Sequence, residues 1–311
     1  MSVLVTGGGG FIGSYLAREL VRKGREVVAF DASPDTSLIK DVLGKVKFVQ
    51  GDVSDLVDVV GTVRRENVQD VYHTGALLIE DCEAKPVRAL KVNVEGTVNV
   101  LEAARLSDVK RVVFISTAGV FSPDLPTPIG DDAPKYPTTV YGATKVLCEL
   151  YGLKYLRSYG VDFRALRFPI VYGAGRTRGG SAWGSRLIEE PALGRPAQIP
   201  YRPEGVSAWL YVKDAVRALI LARDAADPKK RIYNIAGDSC SIAEVAETVK
   251  TFIPQADIRY GAQRLESRAS YDDSNARKEL GWSQAYPLRK GVEDHINEAR
   301  KRAGLKPIQA R

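Results

Sequence analysis

A chain of 311 residues, 44% apolar and 27% charged, is long enough to bury a large core as one α/β unit or two lobes, and its composition argues against disorder. The net charge of +7 is spread along the chain, with no long basic run before Arg300, Lys301 and Arg302. It reads as a solvated surface with a mild pull on anionic substrates, not as a nucleic-acid partner.

No apolar run reaches the roughly 20 residues that cross a bilayer. The N-terminus reads as a strand and a glycine loop, where a secretory signal needs a basic and then an apolar segment. No membrane partner and a cytoplasmic location are expected. Cys82, Cys148 and Cys240 are odd in number and lack metal spacing, and His73 and His295 are the two histidines. Free thiols and no metal site follow.

In chain order, Val3 to Val5 reads as a strand and Phe11 to Lys23 as a helix closed by Gly24. Further strands are Glu26 to Phe30, Val46 to Val49, Val71 to His73 and Val112 to Ile115, with helical periodicity between them. Near-continuous apolar strands alternating with helices predict a doubly wound (Rossmann) parallel sheet. After Phe168 the segments Gly173 to Gly184 and Pro191 to Gly205 are rich in Gly, Pro and Arg and read as loops. A strand at Trp209 to Val212, a helix at Asp214 to Arg223, a strand at Ile232 to Ile235 and a helix opened by a Ser241/Glu244 capping box follow. The expected organisation is an α/β dinucleotide domain over 1–167, joined by about 206–236. A smaller C-terminal substrate-binding lobe is expected from 168–205 and 237–311.

The first strand runs directly into Gly7, Gly10 and Gly13 and then a helix. Gly7 suits a tight turn, Gly10 a close approach of backbone to a pyrophosphate, and Gly13 close packing of helix on sheet. The helix start offers free N–H groups, those of Phe11 and Ile12 among them, to phosphate. Asp31 closes the second strand, where a carboxylate accepts both ribose hydroxyls and repels a 2′-phosphate, so the cofactor expected is NAD rather than NADP. Asp52, followed by Val53, suits either the adenine amino group or a helix N-cap. Gly75 and Ala76 allow backbone to close on the cofactor, and Ile115 is a further candidate contact. His73 reads as a core residue.

Tyr141 and Lys145 lie one turn apart and so share a helical face. A phenol titrates near 10, and an adjacent ammonium together with an oxidised nicotinamide would favour its phenolate as a general base. Thr117, with Ser116 as competitor, ends the fifth strand, where a hydroxyl can orient the reacting oxygen.

These elements together resemble the extended short-chain dehydrogenases/reductases, the NAD-dependent epimerase/dehydratase family, over essentially the whole chain. Also similar are Val92 to Thr97 around Asn93, Arg167 to Gly173, Tyr211 to Asp214, Tyr233 to Ile235 and Leu280 to Trp282. The resemblance implies Thr117, Tyr141 and Lys145 as catalytic residues, Tyr141 and Lys145 also in contact with the cofactor (the lysine within reach of the nicotinamide ribose), Asn93, Phe168 and Ile170 beside the cofactor, and a homodimer built on two helices per subunit. Residues after Thr117 lack the Asp-Glu pair of the 4,6-dehydratases.

Ala76 to Leu78, Val120-Phe121, Arg167 to Pro169 and Ser270 to Ser274 resemble the L-threonine 3-dehydrogenase branch. This chain departs from that branch with Ile79 in place of a serine, and with Gly179 to Trp183 in the lid. Candidate substrate contacts are Ile79, Ser116, Thr117, Arg178 and Trp183; Arg176 and Arg202 are further lid cations able to clamp an anion. Trp183 either stacks on a substrate ring or anchors the lid. The activity expected is NAD-dependent hydride transfer from the secondary alcohol of a small polar metabolite (an L-threonine-like hydroxy amino acid, polyol or sugar). The alternatives are a nucleotide-sugar 4-epimerase that retains NAD and a non-catalytic NAD-sensing protein.

Overall fold

A computed structural model describes residues 2–267 and 270–308. Its strands are β1 (Ser2–Thr6), β2 (Glu26–Asp31), β3 (Val46–Gln50), β4 (Val68–His73), β5 (Arg111–Thr117), β6 (Asp162–Phe168), β7 (Ile170–Tyr172), β8 (Ala197–Tyr201), β9 (Val206–Tyr211), β10 (Ile232–Asn234), β11 (Asp238–Ser241) and β12 (Ile258–Gln263). Its helices are α1 (Phe11–Arg22), α2 (Leu56–Arg65), α3 (Ile79–Ala84), α4 (Pro86–Ala89), α5 (Gly96–Leu106), α6 (Val140–Tyr159), α7 (Ala182–Ala192), α8 (Val212–Asp224), α9 (Ile242–Phe252), α10 (Ser274–Leu280) and α11 (Leu288–Arg302).

Seven strands form one sheet in the order β10-β6-β5-β4-β1-β2-β3, every pair parallel. The direction of winding reverses between β1 and β4, so a crevice opens outside their carboxyl ends. That crevice is where Gly7, Gly75 and Thr117 emerge. This is the doubly wound sheet that the alternating strand and helix pattern predicts.

Both faces of the sheet are covered. Under α2, α5 and α6 lie Leu4, Val28, Val71, Leu101, Phe114 and Phe163. On the other face one continuous core runs from Val3, Tyr15 and Leu20 to Trp183, Trp209, Ile242 and Ile296. The smaller lobe therefore packs through the same core as α1 and α8. It is built on a three-stranded sheet, β11-β9-β7, and a β8-β12 pair.

Three segments depart from the sequence expectation. The loops read over Gly173 to Gly184 and Pro191 to Gly205 run into the two ends of α7 and contain the whole of β8. The α7 face of Trp183, Leu187 and Ile188 is buried, so tertiary packing overrides the Gly and Pro signals, and Pro191 falls in the last turn. β8 finds its partner in distant β12, which no local pattern reveals. The strand expected at Trp209 to Val212 starts earlier, at Val206, and Val212 already opens α8. The Ser241/Glu244 capping box forms as expected.

Candidate active site

Gly7 turns the chain at φ +65°, and a Cβ there would lie 2.7 Å from the Gly75 Cα, so the loops after β1 and β4 touch backbone to backbone. A Cβ at Gly13 would lie 2.1 Å from the Gly7 carbonyl oxygen, which holds α1 directly against the turn. Gly10 is the N-cap of α1 and offers no side chain, and the first turn carries no acidic residue. The amides of Phe11 and Ile12 thus meet the crevice with the helix dipole behind them. Asp31 stands beside the loop, accepting the Gly9 N–H at 3.1 Å and the Ser33 N–H at 3.0 Å.

Asp52 accepts the N–H and hydroxyl of Ser54 at 2.9 and 2.8 Å. The N-cap of α2 is Asp55, which receives the N–H of Val57 at 2.8 Å; this removes the capping role considered for Asp52. Val53 is 8% exposed, its carbonyl held by Asn99 at 3.0 Å, a contact the sequence pattern did not flag.

His73 is buried between Thr6 and Thr97 at 2.7 and 3.0 Å. The Thr97 hydroxyl donates to the Asn93 carbonyl, so it accepts from His73 Nε2–H, and Nδ1 accepts from Thr6. Burial pushes the imidazole down to about 3, leaving a neutral structural histidine. Asn93 lies where the backbone widens into π-helical bonding over Leu90–Glu95. Its carboxamide is taken up by Leu77 N–H at 2.8 Å, Leu77 carbonyl at 3.1 Å and Thr144 Oγ1 at 3.2 Å. Asn93 therefore shapes the wall of the crevice, where direct contact with the cofactor was expected.

Successive residues of β5 point to opposite faces of the sheet, and this separates Ser116 from Thr117. The Ser116 hydroxyl is buried and donates to Glu149 Oε1 at 2.6 Å. Glu149 in turn takes both arms of Arg167 at 2.8 and 2.7 Å. Ser116 is thus tied into a buried network with Glu149, on the face of β5 away from Thr117. Thr117 Oγ1 lies on the crevice face, accepts the Gly119 N–H at 3.0 Å and helps to favour the ionised form of the Tyr141 phenol.

α6 starts at an N-cap, Thr139, whose Oγ1 accepts the Gly142 N–H at 3.0 Å. Lys145 is 2% exposed. Its ammonium donates to the Ile115 carbonyl at 2.8 Å and stands 5.7 Å from the Tyr141 ring centre. Burial lowers its pKa to about 8. Burial raises the Tyr141 phenol; the strongest opposing influence is Arg176, followed at the end by the Thr117 hydrogen bond. The cation that favours phenolate in this structure is thus a lid arginine, where the spacing pointed to Lys145, which is turned toward Ile115.

The lid follows β7. Arg176 donates to the Val171 carbonyl and, at 2.7 Å, to Ser181 Oγ, and its guanidinium stands 5.8 Å from the Phe11 ring centre. A Cβ on Gly179 would lie 2.7 Å from Leu78 Cδ1, and one on Gly180 3.1 Å from Glu80 Oε1, so the lid rests on the start of α3 beside exposed Ile79. Arg178 is exposed, and Arg202 donates to the Ala262 carbonyl at 2.9 Å. Trp183 is 6% exposed and packs edge-on against Tyr201 and Trp209 at 5.1 and 5.3 Å; it anchors the lid and is no stacking platform. Phe168 pairs in register with Thr117, and half-buried Ile170 follows it.

A family model described as the NAD dependent epimerase/dehydratase family matches residues 3–236. The chain belongs to that family. It is an NAD-dependent enzyme of the extended short-chain dehydrogenase/reductase type. The mitochondrial L-threonine 3-dehydrogenase of Bos taurus is 30% identical to it, over 95% of this chain and 82% of that protein. The UDP-glucose 4-epimerase of Lactobacillus helveticus is 31% identical over 96% of each. The solved L-threonine 3-dehydrogenase of Trypanosoma brucei matches with a TM-score of 0.89 at 28% identity, covering 98% of this chain and 99% of that one.

The residues present fit the family's cofactor. The close glycines leave room for a pyrophosphate against the α1 amides, and Asp31 places a carboxylate where a ribose would be read. Among the lid cations, the sequence reading places Arg178 at the substrate and names Arg176 beside it; the fold turns Arg176 inward and leaves Arg178 exposed. Both lie in one Gly/Arg-rich stretch, and only the fold distinguishes the arginine turned inward from the one turned to solvent.

Proposed function

We propose that this enzyme oxidises the secondary alcohol of a small polar metabolite, an L-threonine-like hydroxy amino acid, a polyol or a sugar. The observation that carries the choice is the lid seated on Leu78 and Glu80, with Arg176 turned in toward the Phe11 ring and acting electrostatically on Tyr141. Such a wall suits a compact substrate better than a nucleotide-sugar. The Tyr141 oxygen, as phenolate favoured by Arg176, takes the alcohol proton; the Thr117 hydroxyl orients the alcohol oxygen; Lys145, fixed by the Ile115 carbonyl, would hold the nicotinamide ribose. NAD, when bound, supplies the hydride acceptor.

Residues 1–167 with 206–236 serve the cofactor in this reading, through Gly7, Gly10, Phe11, Ile12, Gly13, Asp31, Asp52, Val53, Gly75, Ala76, Ile115, Phe168 and Ile170, the last two from the adjoining lobe. Residues 168–205 and 237–311 shape the substrate side. The similarity to a UDP-glucose 4-epimerase, as high as that to a threonine dehydrogenase, favours 4-epimerisation as the second reading. The two share Thr117, Tyr141 and Lys145 and differ in net turnover.

A homodimer is supported by an apolar surface in which α6 offers Leu147, Leu150 and Tyr151 and the neighbouring α4 segment offers Val87, 71% exposed, and Leu90. A cytoplasmic location accords with three free thiols; among the described residues no helix is long and apolar enough to cross a membrane.

The test is NADH absorbance with purified enzyme, NAD and a panel of L-threonine, polyols and UDP-glucose. Steady NADH from an alcohol is expected, and Tyr141→Phe should abolish it. Retained NAD with isomerised UDP-sugar and no NADH would decide for the epimerase.

A further inference from the structure

Well-buried arginines of this chain have carboxylates: Arg167 meets Glu149 at 2.7 Å and Arg164 meets Asp162 at 2.8 Å. Arg176 is different. Among the described residues its hydrogen bonds run to a neutral carbonyl, Val171, and a neutral hydroxyl, Ser181. A guanidinium carries five N–H donors in a planar fork matched to a carboxylate, so this one holds unused donors and, among the described residues, no carboxylate in hydrogen-bond contact.

Its position is the second observation. The guanidinium is carried on the lid, between the Phe11 ring at the mouth of the dinucleotide loop and Ser181 at the start of α7. It is electrically coupled to Tyr141 and to Glu80 across the crevice. Burial lowers its pKa to about 10, so it remains a cation at neutral pH. Glu80 acts on it only through space, and a half-buried cation with no carboxylate in hydrogen-bond contact gains from a ligand that provides one.

We propose that Arg176 is a specificity-determining residue that binds the carboxylate of a hydroxy-acid substrate whose hydroxyl is held by Thr117 and Tyr141. The inference rests on the dehydrogenase reading and narrows it. The substrate carries a carboxylate within a few bonds of the reacting carbinol, and neutral polyols are excluded. Ser181 is a positioning residue that holds the guanidinium in the crevice.

The test compares matched pairs, L-threonine with L-threoninamide and erythronate with erythritol, on NAD-loaded wild type, Arg176→Gln and Arg176→Lys. Binding is read by calorimetry and turnover by NADH. The acid of at least one pair should bind wild type more tightly than its neutral partner. R176Q should weaken that acid on the order of 10- to 100-fold, the range of a charge-assisted hydrogen bond, with the neutral partner and NAD itself bound as before. R176K should recover part of the loss. Because Arg176 favours phenolate, R176Q should also move the acid limb of kcat/KM to higher pH, a shift that a purely structural role would not produce.

Equal binding of acid and neutral partner to wild type overturns the inference. So does an R176Q protein that loses NAD affinity and keeps acid affinity, since the guanidinium would then serve the cofactor's phosphates. NADH from neutral alcohols, unchanged in R176Q, overturns it and leaves the dehydrogenase reading standing. Interconversion of UDP-glucose and UDP-galactose with no NADH from any alcohol overturns both.

Discussion

Gly142, the residue after the candidate base, packs so closely on Gly119, two residues after Thr117, that a Cβ on it would lie 2.4 Å from the Gly119 oxygen. This contact sets how near α6 comes to the end of β5, and with it the approach of Tyr141 to Thr117. Gly142→Ala would push the start of α6 outward, because the obstacle is backbone and cannot rotate away. Turnover should fall on the order of 10- to 100-fold through misplacement of the base, while NAD binding, which depends on the distant α1 loop, is kept. Steady-state kinetics beside fluorescence titration of NAD(H) checks this; unchanged kcat/KM would show that the helix start is not what positions the phenol.

In the proposed site the choice of cofactor rests on Asp31, whose carboxylate accepts the Gly9 and Ser33 N–H groups beside the dinucleotide loop. Asp31→Ser removes both the acceptor for ribose hydroxyls and the charge that repels a 2′-phosphate. NAD affinity should drop and NADP affinity rise, moving the NAD/NADP preference by about two orders of magnitude, the scale of one or two charged hydrogen bonds. Paired Kd measurements read it. A preference that stays fixed would place the discriminating group elsewhere.

The sheet and the dinucleotide loop were legible because their signals are local. β-branched runs, Gly7 to Gly13 and Asp31 occupy short windows whose geometry follows from the residues in them. The placement of Thr117, Tyr141 and Lys145 around one crevice was legible for the same reason, as a strand end and a single helical turn. What the chain hides is which way a side chain turns once distant segments meet. Ser116 and Thr117 are adjacent hydroxyls, separated in role by Glu149 from another helix. Asn93 looks available until Leu77 takes its carboxamide. Trp183 reads as lid surface until Tyr201 and Trp209 close around it, and Arg176 and Arg178 are alike until the lid folds over α3.

Behind the site, Ser116, Glu149 and Arg167 form a buried triad that ties β5, α6 and β6 together, and Arg167 reaches on to the Asp131 carbonyl at 2.8 Å. Removing one ion strands the other in the core, so Glu149→Ala should cost about 3–5 kcal/mol of stability. Glu149→Gln keeps hydrogen bonds but loses the charge, and should fall between that variant and wild type. Denaturant unfolding gives the order: wild type, then E149Q, then E149A. Equal stability of all three would mean the triad is not a fixed element of the fold.

Lys145 supplies a pH-dependent counterpart. Its pKa drops from the ordinary lysine range to about 8 on folding because its ammonium is desolvated. Between pH 8 and the ordinary range the unfolded chain therefore binds more protons than the folded one, and stability rises with pH through that window. Below pH 8 both states are protonated and the full burial penalty, roughly 3 kcal/mol, weighs on the fold. Lys145→Met should lift that penalty while giving up the bond to the Ile115 carbonyl, worth about 1 kcal/mol. The variant should thus be inactive yet more stable than wild type at pH 7, and the advantage should shrink steadily as pH is raised toward 10. Urea unfolding of both proteins across that range reads the difference directly; a gap that does not narrow would mean the buried ammonium is not the source of the cost.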